Sequence, residues 1–204
     1  MRHFTNIIDS HWKRYLMIVL ICGFFVSSLG CESKEKSEKI KGFAILNPDK
    51  DFVLKDQNGD VFHLKDHRGV VVLLFFGYIS CPDVCPVTLS KLSRAYHLLG
   101  EQAGKVLTVF VTVDPDRDTP EKIKEYLGYF KLNAVGLTGT KEEVDRVVDV
   151  FKASYQKVET GSAAGYLMDH SDYVYLIDGQ GRVNELIHTD DTAEKIAGLI
   201  KRVI

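Results

Sequence analysis

The hydrophobic pattern of this chain is most definite between positions 70 and 99. Val70-Val-Val-Leu-Leu-Phe-Phe76 is an unbroken apolar run closed by Gly77, the pattern of a strand buried on both faces. After Pro86, the residues Leu89, Leu92, Tyr96 and Leu99 recur at spacings of three and four, which predicts an amphipathic helix. Tyr78-Ile-Ser-Cys81-Pro-Asp-Val-Cys85 lies between them, so two cysteines occupy the turn from a central strand to a helix start.

Further elements follow from the same reading. Phe52–Leu54 and Val61–Leu64 flank an Asn58-Gly59 pair and predict a hairpin. Val106–Val113 is a second buried-strand run. Thr119, Pro120 and Glu121 then open a helix to Phe130 with Ile123, Leu127 and Phe130 inward. Thr140-Lys-Glu-Glu143 is a capping box for a helix ending near Phe151. Tyr173–Ile177 and Arg182–Ile187 are strands joined by the turn Asp178–Gly181, and Asp191-Thr192 caps a closing helix to Arg202. Strands and helices in this order predict an α/β domain, a central mixed sheet flanked by helices with an N-terminal β-hairpin extension. Cysteines after the first central strand make a thioredoxin-like arrangement the natural choice, with the site at the carboxyl ends of the strands.

The N-terminus changes the picture. Arg2, Lys13 and Arg14 precede the apolar stretch Tyr15–Leu29, an n-region followed by an h-region. Residues 1–30 are therefore expected to be a signal peptide or membrane anchor. Ser28-Leu29-Gly30-Cys31 resembles a bacterial lipobox, with Ser28 and Leu29 departing from the usual pattern, so Cys31 is the expected lipidation site. An uncleaved anchor is the rival. Glu32–Lys41 is nearly all charged or serine, a composition that forms no core, so residues 31–42 are expected to be a flexible tether to a domain at 43–204. With 26 basic and 28 acidic residues in all, the charge balance points to no nucleic-acid partner.

Of the four cysteines, Cys22 lies in the apolar run, leaving Cys81 and Cys85 as the thiols of the domain if Cys31 carries lipid. Their spacing is one residue longer than the C-x-x-C of thioredoxin-like redox motifs. On a helix, residues four apart have Cβ atoms about 5–6 Å apart, wider than the roughly 3.5–4.5 Å of a relaxed disulfide. A metal between two thiolates accepts that gap, so geometry leans towards a metal, while redox chemistry and a plain stabilising disulfide stay open. A helix N-terminus favours thiolate, which metal binding and redox chemistry both need.

Imidazole is the usual next ligand for copper or zinc. His97 lies off the apolar face of its helix, His63 alternates with inward Phe62 and Leu64, and His67 and His188 stand in polar loops. His170 differs, because it follows the flexible Thr160–Gly165 and could be carried over the cysteine turn. From that segment alone, a loop histidine that only hydrogen-bonds backbone is the better account.

Four separated motifs bear a resemblance. Phe76-Gly77 with Ser80–Pro86, Val111–Glu121, Gly136–Thr140, and Asp169-His170-Ser171 with Tyr175–Asp178 resemble the Sco/SenC family, in order, across about residues 43–204. The resemblance implies a thioredoxin-like fold in which Cys81, Cys85 and His170 bind one copper ion, with Asp169 supporting the ligand histidine. It further implies delivery of copper to, or preparation of the thiols of, the copper A site of cytochrome c oxidase. Ser80 stands where the family usually has Thr, and the loop before His170 is short and glycine-rich.

Two thiolates and an imidazole suit Cu(I), and hold Cu(II) if another ligand joins. A disulfide offers no thiolate, so copper binding is expected to be gated by redox state. The leading expectation is a metallochaperone, a binding and transfer protein and not an enzyme, on the outer (periplasmic or extracellular) face of the cytoplasmic membrane. Its expected partners are the copper-binding subunit of cytochrome c oxidase and another copper chaperone or thioredoxin-like reductase. The alternative is a thiol–disulfide oxidoreductase using Cys81 and Cys85. A peroxiredoxin-like peroxidase is disfavoured, since Pro82 stands where that family expects Thr or Ser.

Overall fold

The fold is seen in a computed structural model that describes residues 51–161 and 165–204. The expected signal segment 1–30, the tether 31–42 and Cys31 lie outside the described residues. Among the described residues, no helix is long and apolar enough to cross a membrane.

The apolar run forms strand β3 (Val71–Gly77), with every residue buried, and Val106–Thr112 forms β4 beside it in parallel. The hairpin signal is β1 (Val53–Asp56) with β2 (Val61–His63), and the C-terminal pair is β8 (Val174–Ile177) with β9 (Val183–Ile187). With β5 (Ala134–Thr138) they make one seven-stranded mixed sheet in the order β2-β1-β5-β4-β3-β8-β9. β3 sits between β4 and the antiparallel β8, which is why its sequence carries no polar alternation. The N-terminal hairpin joins the sheet through antiparallel β1–β5 pairing.

Among the described residues four α-helices flank this sheet, three of them where their threonine caps predict. They are α1 (Val84–Leu99), α2 (Pro120–Gly128), α3 (Lys141–Phe151) and α4 (Ala193–Lys201). The Thr119, Thr140 and Thr192 hydroxyls each accept from the third residue onward, and Thr140 with Glu143 closes the complete capping box. α1 packs on α4, and α2 on β5.

Three strands depart from the sequence expectation. β5 is interrupted by Gly136, where a Cβ would stand 2.0 Å from the Ile123 side chain of α2. The glycine is needed for helix and strand to touch, and it breaks the apolar pattern that would have marked the strand. β6 (Tyr155–Glu159) and β7 (Tyr166–His170) form a separate two-stranded antiparallel ribbon. β6 reads Tyr-Gln-Lys-Val-Glu and is largely exposed, so neither burial nor alternation announces it. His170 is thus corrected from a loop to the last residue of a strand, paired with Tyr155.

Candidate metal centre

Cys81 and Cys85 sit at the carboxyl end of β3, where an open α/β sheet places its sites. The segment between them is not one continuous helix. α1 begins at Val84, so Cys85 and Pro86 occupy its first turn and Cys81 lies in the bend ahead of it. Pro86 is tolerated there because first-turn amides have no helical acceptor. The free Cys85 N–H instead donates to Cys81 Sγ, 3.5 Å away. Gly77 makes room for the second sulfur: a Cβ there would stand 3.0 Å from Cys85 Sγ and 2.8 Å from the Phe110 ring.

His170 reaches this pair from the ribbon. Its Nε2 lies 3.5 Å from Cys85 Sγ, and its Nδ1 lies 2.9 Å from the Ser171 carbonyl oxygen. A carbonyl only accepts, so Nδ1 carries the proton and Nε2 presents a bare lone pair to the sulfurs. The ring stands edge-on to Phe75 and Tyr78, with centroids 6.2 and 5.8 Å away. The ligand atoms of Cys81, Cys85 and His170 all lie within 4.8 Å of one another. Three ligands on one ion with bonds near 2.3 Å would lie about 4 Å apart, so small shifts suffice to close the group on a metal. Two sulfurs and one imidazole nitrogen are a soft donor set that suits copper.

The two thiols are not equivalent. Both are free, Cys85 fully buried and Cys81 partly exposed. A hydrogen bond from the Cys85 thiol, joined by the Cys85 and Asp83 backbone, holds Cys81 far below the usual thiol range, at about 3. The Cys81 thiolate and burial push Cys85 strongly upward. The two shifts favour a thiolate at the partly exposed Cys81 and a protonated thiol at the buried Cys85.

The Asp114–Asp118 turn supports the cysteine loop. Asp118, 1 % exposed, accepts from the Ile79 N–H at 3.0 Å and from the Thr112 hydroxyl at 2.7 Å. Asp169 lies on the opposite pleat of β7 from His170, is exposed, and accepts from Gln156 Nε2 at 3.2 Å. The imidazole is oriented by the bond that its Nδ1 donates to the Ser171 carbonyl, in place of the expected Asp169. Ser171 carried no usable signal, because any residue supplies a carbonyl. Of the other histidines, His97 is exposed, His63 bonds Asp51 at 3.0 Å, and His67 stacks on Phe62. None of these joins the sulfurs.

Residues 46–204 match the SCO1/SenC family, and the chain belongs to that family. The SCO2-like protein of Rickettsia felis is 38% identical over 152 residues, 74% of each chain. The copper-bound ScoI of Bradyrhizobium japonicum is 38% identical and superposes with a TM-score of 0.70 over 76% of this chain and 98% of its own. A SCO1/SenC family lipoprotein from Bacillus anthracis is 28% identical, with a TM-score of 0.65 over 76% of this chain and 93% of its own. These relationships agree with the α/β thioredoxin-like expectation for the fold.

Proposed function

We propose that this protein is a copper chaperone that holds one copper ion on Cys81, Cys85 and His170 and passes it to a client, supporting maturation of the copper A site of cytochrome c oxidase. The carrying observation is the meeting of two sulfurs and a bare imidazole nitrogen within 4.8 Å, from segments 85 residues apart. Copper is the cargo. The copper-bound state of the Bradyrhizobium relative supports the choice of metal. The oxidase client rests on the family resemblance of the four motifs. Asp118 fixes the cysteine loop, Gly77 seats Cys85, and Ser171 presets the histidine tautomer.

Cu(I) titration of the reduced and oxidised domain tests this reading. The reduced form is expected to bind about one copper and the disulfide form far less, because a disulfide has no thiolate to give. Equal tight binding by both forms would place the metal elsewhere. His170→Ala is expected to lose the thiolate-to-Cu(II) charge-transfer band, since Cu(II) favours nitrogen ligands, while keeping a titratable dithiol.

One observation favours a second reading, thiol–disulfide exchange. The Cys81 thiolate beside a protonated Cys85 is the asymmetry of an attacking and a resolving thiol. The Cys81 thiolate would attack a client disulfide, releasing one client sulfur as thiolate. Cys85, giving its proton to a departing client thiolate, would then attack Cys81 Sγ, closing the Cys81–Cys85 disulfide and releasing the second client sulfur. Oxidase assembly by a His170→Ala variant that no longer retains copper would select this reading.

A membrane tether on the outer face of the cytoplasmic membrane, through lipid on Cys31 or an uncleaved residue 1–30 anchor, belongs to the same proposal. The lipobox-like Ser28–Cys31 and the lipoprotein relative from Bacillus anthracis support it. Cys31→Ser is expected to abolish labelling by a fatty-acid analogue. Retention in membranes without label would select the anchor.

A further inference from the structure

The ribbon that carries His170 hydrogen-bonds to no strand of the main sheet, and β6 is exposed from Gln156 to Glu159. Something other than sheet pairing must set the height of the imidazole over the sulfurs. Tyr155 reaches Asp145 through its hydroxyl, and Ser154 meets Ser171. Met168 reaches the core, and the polar contacts of β7 with the rest of the fold converge on Tyr166, four residues before His170 on the same pleat. Its hydroxyl donates to Asp114 Oδ1 at 2.8 Å, and its carbonyl accepts from Arg117 Nη1 at 3.0 Å. The Arg117 guanidinium lies 3.6 Å from the Tyr166 ring centroid, and its Nε donates to the other oxygen of Asp114. Asp114 is 3 % exposed, so this carboxylate is held in a fixed place.

The same five-residue turn also carries Asp118, which holds the Ile79 amide two residues before Cys81. One end of the turn therefore grips the cysteine loop and the other grips the ribbon. We infer that Asp114 and Arg117 are positioning residues for His170, acting through Tyr166, so that this turn sets the distance between the imidazole and the sulfurs. The inference rests on the copper reading for its purpose and on the Tyr166 contacts for its geometry. Burial, then the Asp114 carboxylate, holds the Tyr166 phenol up at about 12, so it remains a donor at any physiological pH. Arginine suits the role because its planar fork can meet a carboxylate, a carbonyl and a ring face at once.

Two conservative variants of the full chain test this. Tyr166→Phe keeps the ring and removes the donor; Arg117→Lys keeps the charge and removes the fork. Three measurements are made: the imidazole nitrogen shifts of His170 in the reduced, metal-free protein, the Cu(II) dissociation rate, and amide exchange across Val71–Gly77. In the wild type the shifts should report a fixed Nδ1–H tautomer. In both variants they should average towards a mobile ring, Cu(II) should leave about tenfold faster, and the core amides should stay protected. Unchanged His170 shifts in both variants would overturn the inference whether or not copper binds. An averaged ring with unchanged Cu(II) dissociation would overturn it as well. A wild type that takes up no Cu(II) defeats the copper reading and leaves the His170 shifts to decide the geometry.

Discussion

Cys85 hangs from a helix that starts at the end of a strand with no exposed residue, whereas His170 ends a strand whose partner is exposed along four of its five residues. The sulfur side is held by the burial of Leu73, Leu74, Phe75 and Phe110, side chains that each contribute about 1.5–3 kcal/mol. The imidazole side has one core side chain, Met168, and otherwise a handful of polar bonds, each contributing about 0.5–1.5 kcal/mol net. A site made this way has one half as stable as the whole fold and another half that can give locally. Under the proposed chaperone function, the weaker half is where ligation would loosen without unfolding.

The strongest test of this contrast lies in the shared core. Phe75→Ala removes a fully buried ring that packs on Phe110 and faces His170, and should cost about 3–5 kcal/mol in urea unfolding, taking both halves of the site with it. A loss below about 1 kcal/mol would mean that β3 is not the shared support. Asp118→Ala comes next, with an expected cost of about 1–3 kcal/mol, because the Ile79 amide and Thr112 hydroxyl lose a buried acceptor. Its signature is a cysteine loop that exchanges faster than the ribbon; the reverse order would put Asp118 on the wrong half.

The third test concerns charge within the sulfur half. Because its pKa is lowered to about 3, Cys81 is thiolate well below neutrality. Its alkylation by iodoacetamide should be nearly flat between about pH 5 and 8, whereas an ordinary thiol of pKa about 8.5 gains close to tenfold per pH unit. Cys85, buried and protonated, should stay unmodified over that range. A steep profile for Cys81 would erase the asymmetry. The smallest effect belongs to Tyr155→Phe, which removes the hydroxyl bonded to Asp145. It should cost about 0.5–1.5 kcal/mol, read as faster amide exchange of β6 and β7 with β3 unchanged; equal loosening of β3 would show one cooperative unit.

The same division governs what the sequence disclosed. β3, β4 and the helices α2 to α4 were legible because continuous burial and threonine caps leave local marks, as at Thr140 and Glu143. The cysteine pair was legible because its spacing is itself the chemistry. β6 and β7 were not, since an exposed ribbon needs neither apolar alternation nor turn residues of a fixed kind. With the strand went the placement of His170, which the family resemblance supplied and the local pattern did not. The support from Asp169 that the resemblance implies is not what orients the ring, because pleating sends adjacent residues of a strand to opposite faces and the imidazole instead donates to a main-chain carbonyl.

The unequal burial of the two sulfurs gives the site a front and a back. Any group arriving from solvent, whether a competing thiol, a metal-loaded donor or an acceptor's ligand, meets Cys81 before Cys85, which is closed in by Gly77 and Phe110. Under the proposed function, exchange at such a site would be sequential. The front sulfur is the first to bond and the first to be displaced, and the back sulfur follows only when the front has changed partners. The order of events is thus written in which thiol the strand covers, and reversing it would take a change in β3 and not in the cysteines themselves.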